Sequence, residues 1–211
     1  MGNSIIARAE HRLYIENKRR RLKNKDFSIL SDNCNSGIIL HDLGQRFNSP
    51  TVNLYFESAD FIKFLKNPQK YLNADPIQTE SDKPFPVGKI DDITVFFMHY
   101  PDFNNAREQW KKRSARVNFD NLFVMMTDKN GCTYEQIADF DSLPYAHKAI
   151  FTHKPYPEFK SACCIKGFEN DGEVGVLSDW KPGFLKRRYL DDFDYVAFLN
   201  GEIYNFSEFN R

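Results

Sequence analysis

The chain has 211 residues, of which 41% are hydrophobic and 15% aromatic, which is enough to bury one sizeable core and excludes disorder over most of the chain. Basic and acidic residues balance at 29 each, so no overall positive field is available to hold nucleic acid. Four cysteines lack the spacing of a structural zinc site, and no apolar run is long enough to span a membrane. We therefore expect a cytoplasmic protein with free thiols and no metal.

The hydrophobic pattern predicts alternating helices and strands. In chain order it predicts a helix at 3–23, a strand at 26–31, a helix at 36–47, a strand at 51–56, a helix at 61–72, a loop at 73–86, a hairpin within 87–100, a helix at 103–117, a strand at 121–127, a helix from 133 to 140, strands at 148–152, 161–166 and 173–177, and a last helix at 190–200. This alternation predicts an α/β fold with three layers, α/β/α, around a mostly parallel sheet.

The first predicted helix is basic and amphipathic. We expect it to form an N-terminal appendage over residues 1–24, followed by a single α/β domain over residues 25–211. Between Arg12 and Lys25 seven basic side chains stand against a single acidic one, Glu16. Two interpretations remain open: a solvated helix face, or a patch that contacts anionic lipid at the inner membrane face or a phosphate-bearing substrate.

Polar segments follow four of the predicted strands. They are residues 32–37, residues 128–132, His99 and the pair His153-Lys154. Because ligands of open α/β sheets bind beyond the carboxyl ends of the strands, we expect these segments to meet at one edge and to form a pocket there.

Cys34 and the histidines suggest nucleophilic chemistry. A thiol at a helix N-terminus has its thiolate favoured by the helix dipole, so Cys34 is a candidate nucleophile with His99 or His153 as base. The alternative is a small residue that packs the turn, because free cysteines are commonly buried and inert. Cys132 occupies the equivalent position after a later strand, and the same alternatives apply to it.

Two aspartates end predicted strands, and three further side chains repeat every three residues. Asp32 and Asp128 are suited to acid–base chemistry or to cation binding, or else to capping a turn.

Trp110, Arg113 and Arg116 share one helix face. In one interpretation, the two arginines bind an anionic group of a ligand and the indole stacks on a sugar ring. In the other, all three residues are structural and the arginines pair with nearby aspartates.

Several segments resemble a known family. SILSDNC, NLFVMMTDKNGC, FTHKPYPEF and the W-x-x-R-x-x-R run resemble a bacterial family, the domain of unknown function nineteen-nineteen, found in exopolysaccharide and capsule gene clusters. The resemblance covers roughly residues 20–180 and implies a three-layer fold with a mixed sheet, Rossmann-like in part. Here Asn35, Ser36 and Gly37 follow the Asn-Cys pair, where members often carry an aromatic residue and a glycine.

Together these observations predict a glycosyl- or acyltransferase of exopolysaccharide or capsular polysaccharide biosynthesis, acting on a sugar or lipid-linked sugar. The donor is left open between a nucleotide sugar and an acyl-CoA. The alternatives are a non-catalytic glycan-binding or synthase-docking protein and a cysteine-dependent hydrolase. The predicted catalytic residues are Cys34, His153 and Asp128, and the predicted substrate-binding residues are Asp32, Asn33, Asn48, Ser49, His99, Trp110, Arg113, Arg116, Cys132 and Lys154.

Overall fold

The structure is a computed structural model that describes residues 5–183, 186–202 and 205–206, with side chains described from residue 9 onwards. Helices and short strands alternate along it, as predicted. In chain order they are α1 (Ile5–Arg21), β1 (Ser28–Ser31), α2 (Asn35–Leu43), α3 (Ser58–Lys66), α4 (Pro68–Leu72), β2 (Ile77–Thr79), β3 (Val87–Ile90), β4 (Ile93–Phe96), α5 (Phe103–Ser114), β5 (Leu122–Thr127), α6 (Tyr134–Ser142), β6 (His147–Thr152), β7 (Ala162–Cys164), a 3-10 helix (Tyr189–Asp192) and α7 (Tyr195–Leu199).

The central sheet has four parallel strands in the order β1-β5-β6-β7. Every residue of β5 is buried, as expected for a parallel strand that is covered on both faces. Val124 and Met126 belong to the core that includes α3, α5 and α6, while Phe123 and Met125 belong to the core that includes α2 and α7. The period-two alternation of β5 thus places one helical layer on each face and confirms the three-layer α/β/α fold.

The remaining strands form a second, antiparallel sheet in the order β2-β3-β4. The predicted hairpin is β3 and β4, joined by a turn in which Asp91 has a φ of 55°. β2 lies inside the segment that we predicted to be a loop. The parallel and antiparallel pairs that the sequence placed in one mixed sheet are therefore divided between two sheets.

Two predicted strands are wrong, and in both a side chain takes the place of a strand partner. Residues 51–56 pass beside β1, but the Thr51 hydroxyl accepts the Ser31 N–H at 3.0 Å, and the segment has only one isolated bridge, between Tyr55 and Phe96. Residues 173–177 form no ladder, because the Val174 N–H donates to the carboxylate of Asp128 at 2.7 Å. A strand requires backbone partners in succession, and neither segment has them.

Two predicted helices are divided. The helix predicted at 61–72 is α3 and α4, interrupted at Asn67, whose side chain accepts the Lys70 N–H after Pro68 starts the second helix. The helix predicted at 190–200 is the 3-10 helix followed by α7, which Asp194 caps through the N–H groups of Val196 and Ala197. Helix α1 packs on α2, and among the described residues no helix combines the length and apolar character needed to cross a bilayer.

Candidate functional site

The carboxyl ends of β1, β5 and β6 lie side by side, as predicted from the strand-end segments. The Asn33 side chain donates to the Thr127 hydroxyl at 3.0 Å, which joins the turn after β1 to the end of β5. The His153 N–H donates to Asp128 at 2.8 Å, which joins the turn after β5 to the end of β6. Three polar segments separated by up to 120 residues of sequence therefore share one edge of the sheet.

Asp32 lies beneath this edge and is fully enclosed. Its Oδ2 accepts the Thr127 N–H at 3.0 Å and the Thr127 hydroxyl at 2.7 Å. Its Oδ1 is buried and has no hydrogen-bond partner among the described residues. Burial raises the pKa of Asp32 to about 7, against the lowering effect of the Thr127 hydrogen bonds.

A cleft of about 870 Å³ opens beside the turns that follow β1 and β5. Its volume falls within the range of pockets that hold small molecules and cofactors. Met98 and Val176 leave apolar surface at the cleft, with 37% and 52% of each residue exposed. Its wall is formed by Asn33, Cys34, Asn35, Gly37, Ile38, His41, Asp42, Phe47, Asn53, Tyr55, Met98, His99, Lys129, Asn130, residues 175–178 and Arg188.

Cys34 lines this cleft as the residue that precedes α2. It makes no side-chain capping bond, and its thiol donates weakly to the Leu54 carbonyl at 3.7 Å. Burial raises the pKa of the Cys34 thiol. Burial therefore disfavours the thiolate, which is the opposite of the activation by the helix dipole that the sequence led us to expect.

Cys132 is further from a reactive state. It is outside the cleft wall, and burial raises the pKa of its thiol to about 11. The adjacent Thr133, not Cys132, caps α6 through a reciprocal pair of hydrogen bonds with Gln136. The position after the strand is equivalent to that of Cys34, as predicted, but the thiol has no role in the cleft wall.

Asp128 links three segments. Its Oδ2 accepts from the backbone N–H and from the Nδ1 of His153, the latter at 2.5 Å, and its Oδ1 accepts the Val174 N–H. His153 lies outside the cleft wall. The predicted catalytic residues Asp128 and His153 are hydrogen-bonded to each other, but the pair holds β5, β6 and residues 173–174 together and is not part of the cleft wall.

The other predicted binding residues divide into two groups. Asn33 and His99 line the cleft, whereas Lys154 is exposed outside it, with its ammonium 5.5 Å from the ring centroid of Tyr156. Asn48 lies at the amino end of β1, where its carbonyl accepts the Ser28 hydroxyl. Ser49 is fully buried and bonds to Thr51. Asn48 and Ser49 therefore do not reach the carboxyl edge as folded.

The tryptophan–arginine set is structural. Trp110 is 1% exposed and packs edge-on to Phe64, so its indole is not available to stack on a sugar. The Arg113 guanidinium donates to the Tyr100 hydroxyl at 2.9 Å. Arg116 donates to the Phe47 carbonyl at 3.3 Å. The arginines therefore hold the chain beside α5, with partners other than the aspartates that we had considered.

Sequence reasoning missed several cleft residues. Lys129 and Asn130 belong to the turn that follows β5, and that turn was a sufficient signal for them. Asp42 and Arg188 have no such signal, since one lies inside α2 and the other outside the segments that carry the family resemblance. Over the residues that the structure describes, no group of three or more His, Cys, Asp or Glu side chains is placed to hold a metal ion.

Comparison with known proteins shows the family of this chain. The family described as Domain of unknown function (DUF1919) matches residues 5–200, which include every residue of the cleft. The chain belongs to the DUF1919 family. A protein of Haemophilus influenzae, named "Uncharacterized protein", is 46% identical to this DUF1919 protein over 181 residues, which cover 86% of this chain and 87% of that protein. The resemblance noted in the sequence is thus confirmed at the level of the family.

Proposed function

We propose that this DUF1919 protein is a transferase that acts on a phosphate-linked sugar, carried on a nucleotide or on a lipid. The proposed place of the reaction is the cleft beside the turns after β1 and β5. The assignment to exopolysaccharide or capsular polysaccharide biosynthesis rests on the family resemblance alone. The observation that carries the proposal is the composition of the cleft wall, which combines apolar and aromatic side chains with Lys129 and residues of the first turn of α2.

Different residues of the cleft wall suit different parts of such a ligand. The first N–H groups of a helix have no intrahelical acceptors, and α2 begins at the cleft wall, where the first of these groups, the Asn35 N–H, donates to the Asn33 side chain at 3.0 Å. Lys129 has a side chain that is 25% exposed and lies 4.0 Å from Glu173, so its ammonium is only weakly paired. These groups suit a phosphate, while Tyr55 and Met98 offer an aromatic and an apolar surface to a base or a lipid chain.

His99 is the proposed base. In the reaction an acceptor hydroxyl oxygen forms a bond to the anomeric carbon, the bond from that carbon to the phosphate oxygen breaks, and the electron pair leaves with the phosphate. The hydroxyl proton passes to the imidazole of His99, a residue that lines the cleft. His99 takes the role that the sequence gave to His153, because His153 lies outside the cleft wall and its Nδ1 is engaged by Asp128.

A ligand panel with two histidine variants tests the proposal. We expect UDP-glucose or glucose 1-phosphate, but not acetyl-CoA, to raise the melting temperature. We further expect His99→Gln to lower donor hydrolysis, with water as acceptor, about 100-fold. The matched control is His153→Asn, whose amide can keep the bond to Asp128 while the Nε2 atom is removed; it is expected to retain hydrolysis within about twofold. Stabilisation by acetyl-CoA alone, or equal loss in both variants, would contradict the proposal.

Binding of a glycan intermediate without turnover is the second candidate. It is favoured by the surroundings of the predicted catalytic groups, because burial raises the pKa of the Cys34 thiol and both carboxylate oxygens of Asp128 accept hydrogen bonds from His153 and Val174. In this case the panel would still show stabilisation by a sugar ligand, but no hydrolysis would be detected. The alternative of docking on a membrane or synthase through residues 12–25 is weakened, because the basic side chains of Lys18, Arg19 and Arg21 already donate hydrogen bonds within the chain.

A further inference from the structure

Arg188 is held in a fixed orientation on the cleft wall. It is 7% exposed, and its Nε and Nη2 atoms donate to the two carboxylate oxygens of Asp191 at 3.3 and 3.2 Å. Nη2 also donates to the Oδ2 of Asp42, a second residue of the cleft wall. Two carboxylates thus fix the plane of the guanidinium, and little side-chain entropy remains to be lost when a ligand binds.

Arg188 and Asp42 each have one polar side-chain atom that is not used in this network. Arg188 Nη1 and Asp42 Oδ1 make no hydrogen bond with any residue that the structure describes. The Arg188 and Asp42 side chains line the cleft with 8% and 10% of their surface exposed. Within the described part of the chain, the cleft wall therefore carries a donor and an acceptor without protein partners, on two side chains that are hydrogen-bonded to each other.

The charge around this pair is balanced. Lys18 lies 3.0 Å from Asp191, so two cations and two carboxylates form one buried group that extends from α1 to the cleft. The Tyr195 hydroxyl donates to Asp42 and adds no charge. A site of near-zero net charge attracts a phosphate poorly. A sugar hydroxyl is both donor and acceptor, and two neighbouring hydroxyls match one acceptor and one donor.

We propose that Asp42 and Arg188 form a subsite that binds adjacent hydroxyl groups of a sugar ring, Arg188 Nη1 donating to one and Asp42 Oδ1 accepting from the other. The inference rests on the proposed function and adds the part of the ligand that these two residues recognise. It assigns the sugar to Asp42 and Arg188 and leaves the phosphate to Lys129. It also gives Lys18 and Asp191 a positioning role, since they contact Arg188 or its partner rather than the ligand.

The test compares two arginine variants by calorimetry with UDP-glucose and with UDP. Arg188→Lys keeps a cation near both carboxylates but removes the Nη1 donor. Its matched control is Arg187→Lys, because Arg187 pairs with Glu10 and lies outside the cleft wall. We expect Arg188→Lys to weaken UDP-glucose binding about tenfold and to leave UDP binding unchanged, while Arg187→Lys leaves both unchanged.

A second variant guards against a folding defect in the first. Asp42→Asn can keep an oxygen toward Arg188 and Tyr195 while the free acceptor becomes a donor. It is expected to weaken UDP-glucose binding by a similar factor, with UDP binding again unchanged. If wild-type protein binds UDP-glucose and both variants bind it equally well, the subsite is overturned while the proposed function stands. If wild-type protein binds neither UDP-glucose nor any other sugar of the panel, the proposed function fails and the subsite fails with it.

Discussion

Replacing Lys18 with methionine is expected to lower the free energy of unfolding by about 3 kcal/mol. Lys18 is 3% exposed, its ammonium lies 3.7 Å from the ring centroid of Tyr195, and it bonds to Asp191, whose side chain is fully buried. Burial lowers the pKa of Lys18, and the charge of Asp191 acts in the opposite direction. Methionine fills nearly the same volume but leaves the buried group with one uncompensated negative charge.

Urea unfolding followed by circular dichroism measures this difference. The control is Lys23→Met, which removes a lysine from an exposed ion pair, because Lys23 and Glu202 are 3.6 Å apart with side chains 82% and 50% exposed. Exposed pairs of this kind contribute at most about 1 kcal/mol. Equal, small losses in the two variants would show that the network under α1 does not hold the C-terminal segment in place.

Asp32→Asn is expected to change how stability depends on pH. The pKa of Asp32 is raised from an ordinary 3.8 to about 7 in the folded chain, so the native state binds this proton more tightly than the unfolded state. The contribution of Asp32 to the free energy of unfolding of the wild type is therefore lost as pH rises from about 4 to about 7. This loss is about 4 kcal/mol in total, and it does not increase above pH 7. Asparagine does not titrate and can still accept the Thr127 hydrogen bonds.

Unfolding measured for both proteins from pH 4 to pH 9 isolates this contribution, because all other groups titrate in both. The variant should gain stability relative to wild type up to about pH 7, and the difference should then stay constant. Thr127→Val is the matched control for the hydroxyl, since it removes one of the two hydrogen bonds to Oδ2. A difference that does not vary with pH would mean that Asp32 is ionised throughout and has solvent or a cation as partner.

The layers of the fold were predictable because they follow from local periodicity. Residues 122–126 are apolar throughout, and they lie in β5, the strand buried on both faces. Residues 51–56 have the same β-prone composition but form no strand, because the Thr51 hydroxyl occupies the β1 N–H that a strand partner would need. The burial of β5 is predictable from local composition, whereas the loss of a strand at residues 51–56 depends on a contact between residues about 20 apart.

The site was predictable as a place and less so as a set of residues. The strand-end rule brought Asn33, His99 and the turn containing Lys129 to one cleft. The rule does not predict that both carboxylate oxygens of Asp128 accept hydrogen bonds from His153 and Val174, or that Trp110 is buried. Arg188 lines the cleft in a network with Asp42 and Asp191, and its contact with Asp42 joins residues 146 apart in the sequence, which no local spacing indicates.

A crystal structure of the protein with UDP-glucose tests the central claim most directly. We expect the diphosphate beside Lys129 and the start of α2, and the glucose hydroxyls within hydrogen-bond distance of Arg188 and Asp42. Ordered ligand next to His153, or anywhere else outside the walls formed by α2, the turn after β5 and residues 175–178, would contradict the account.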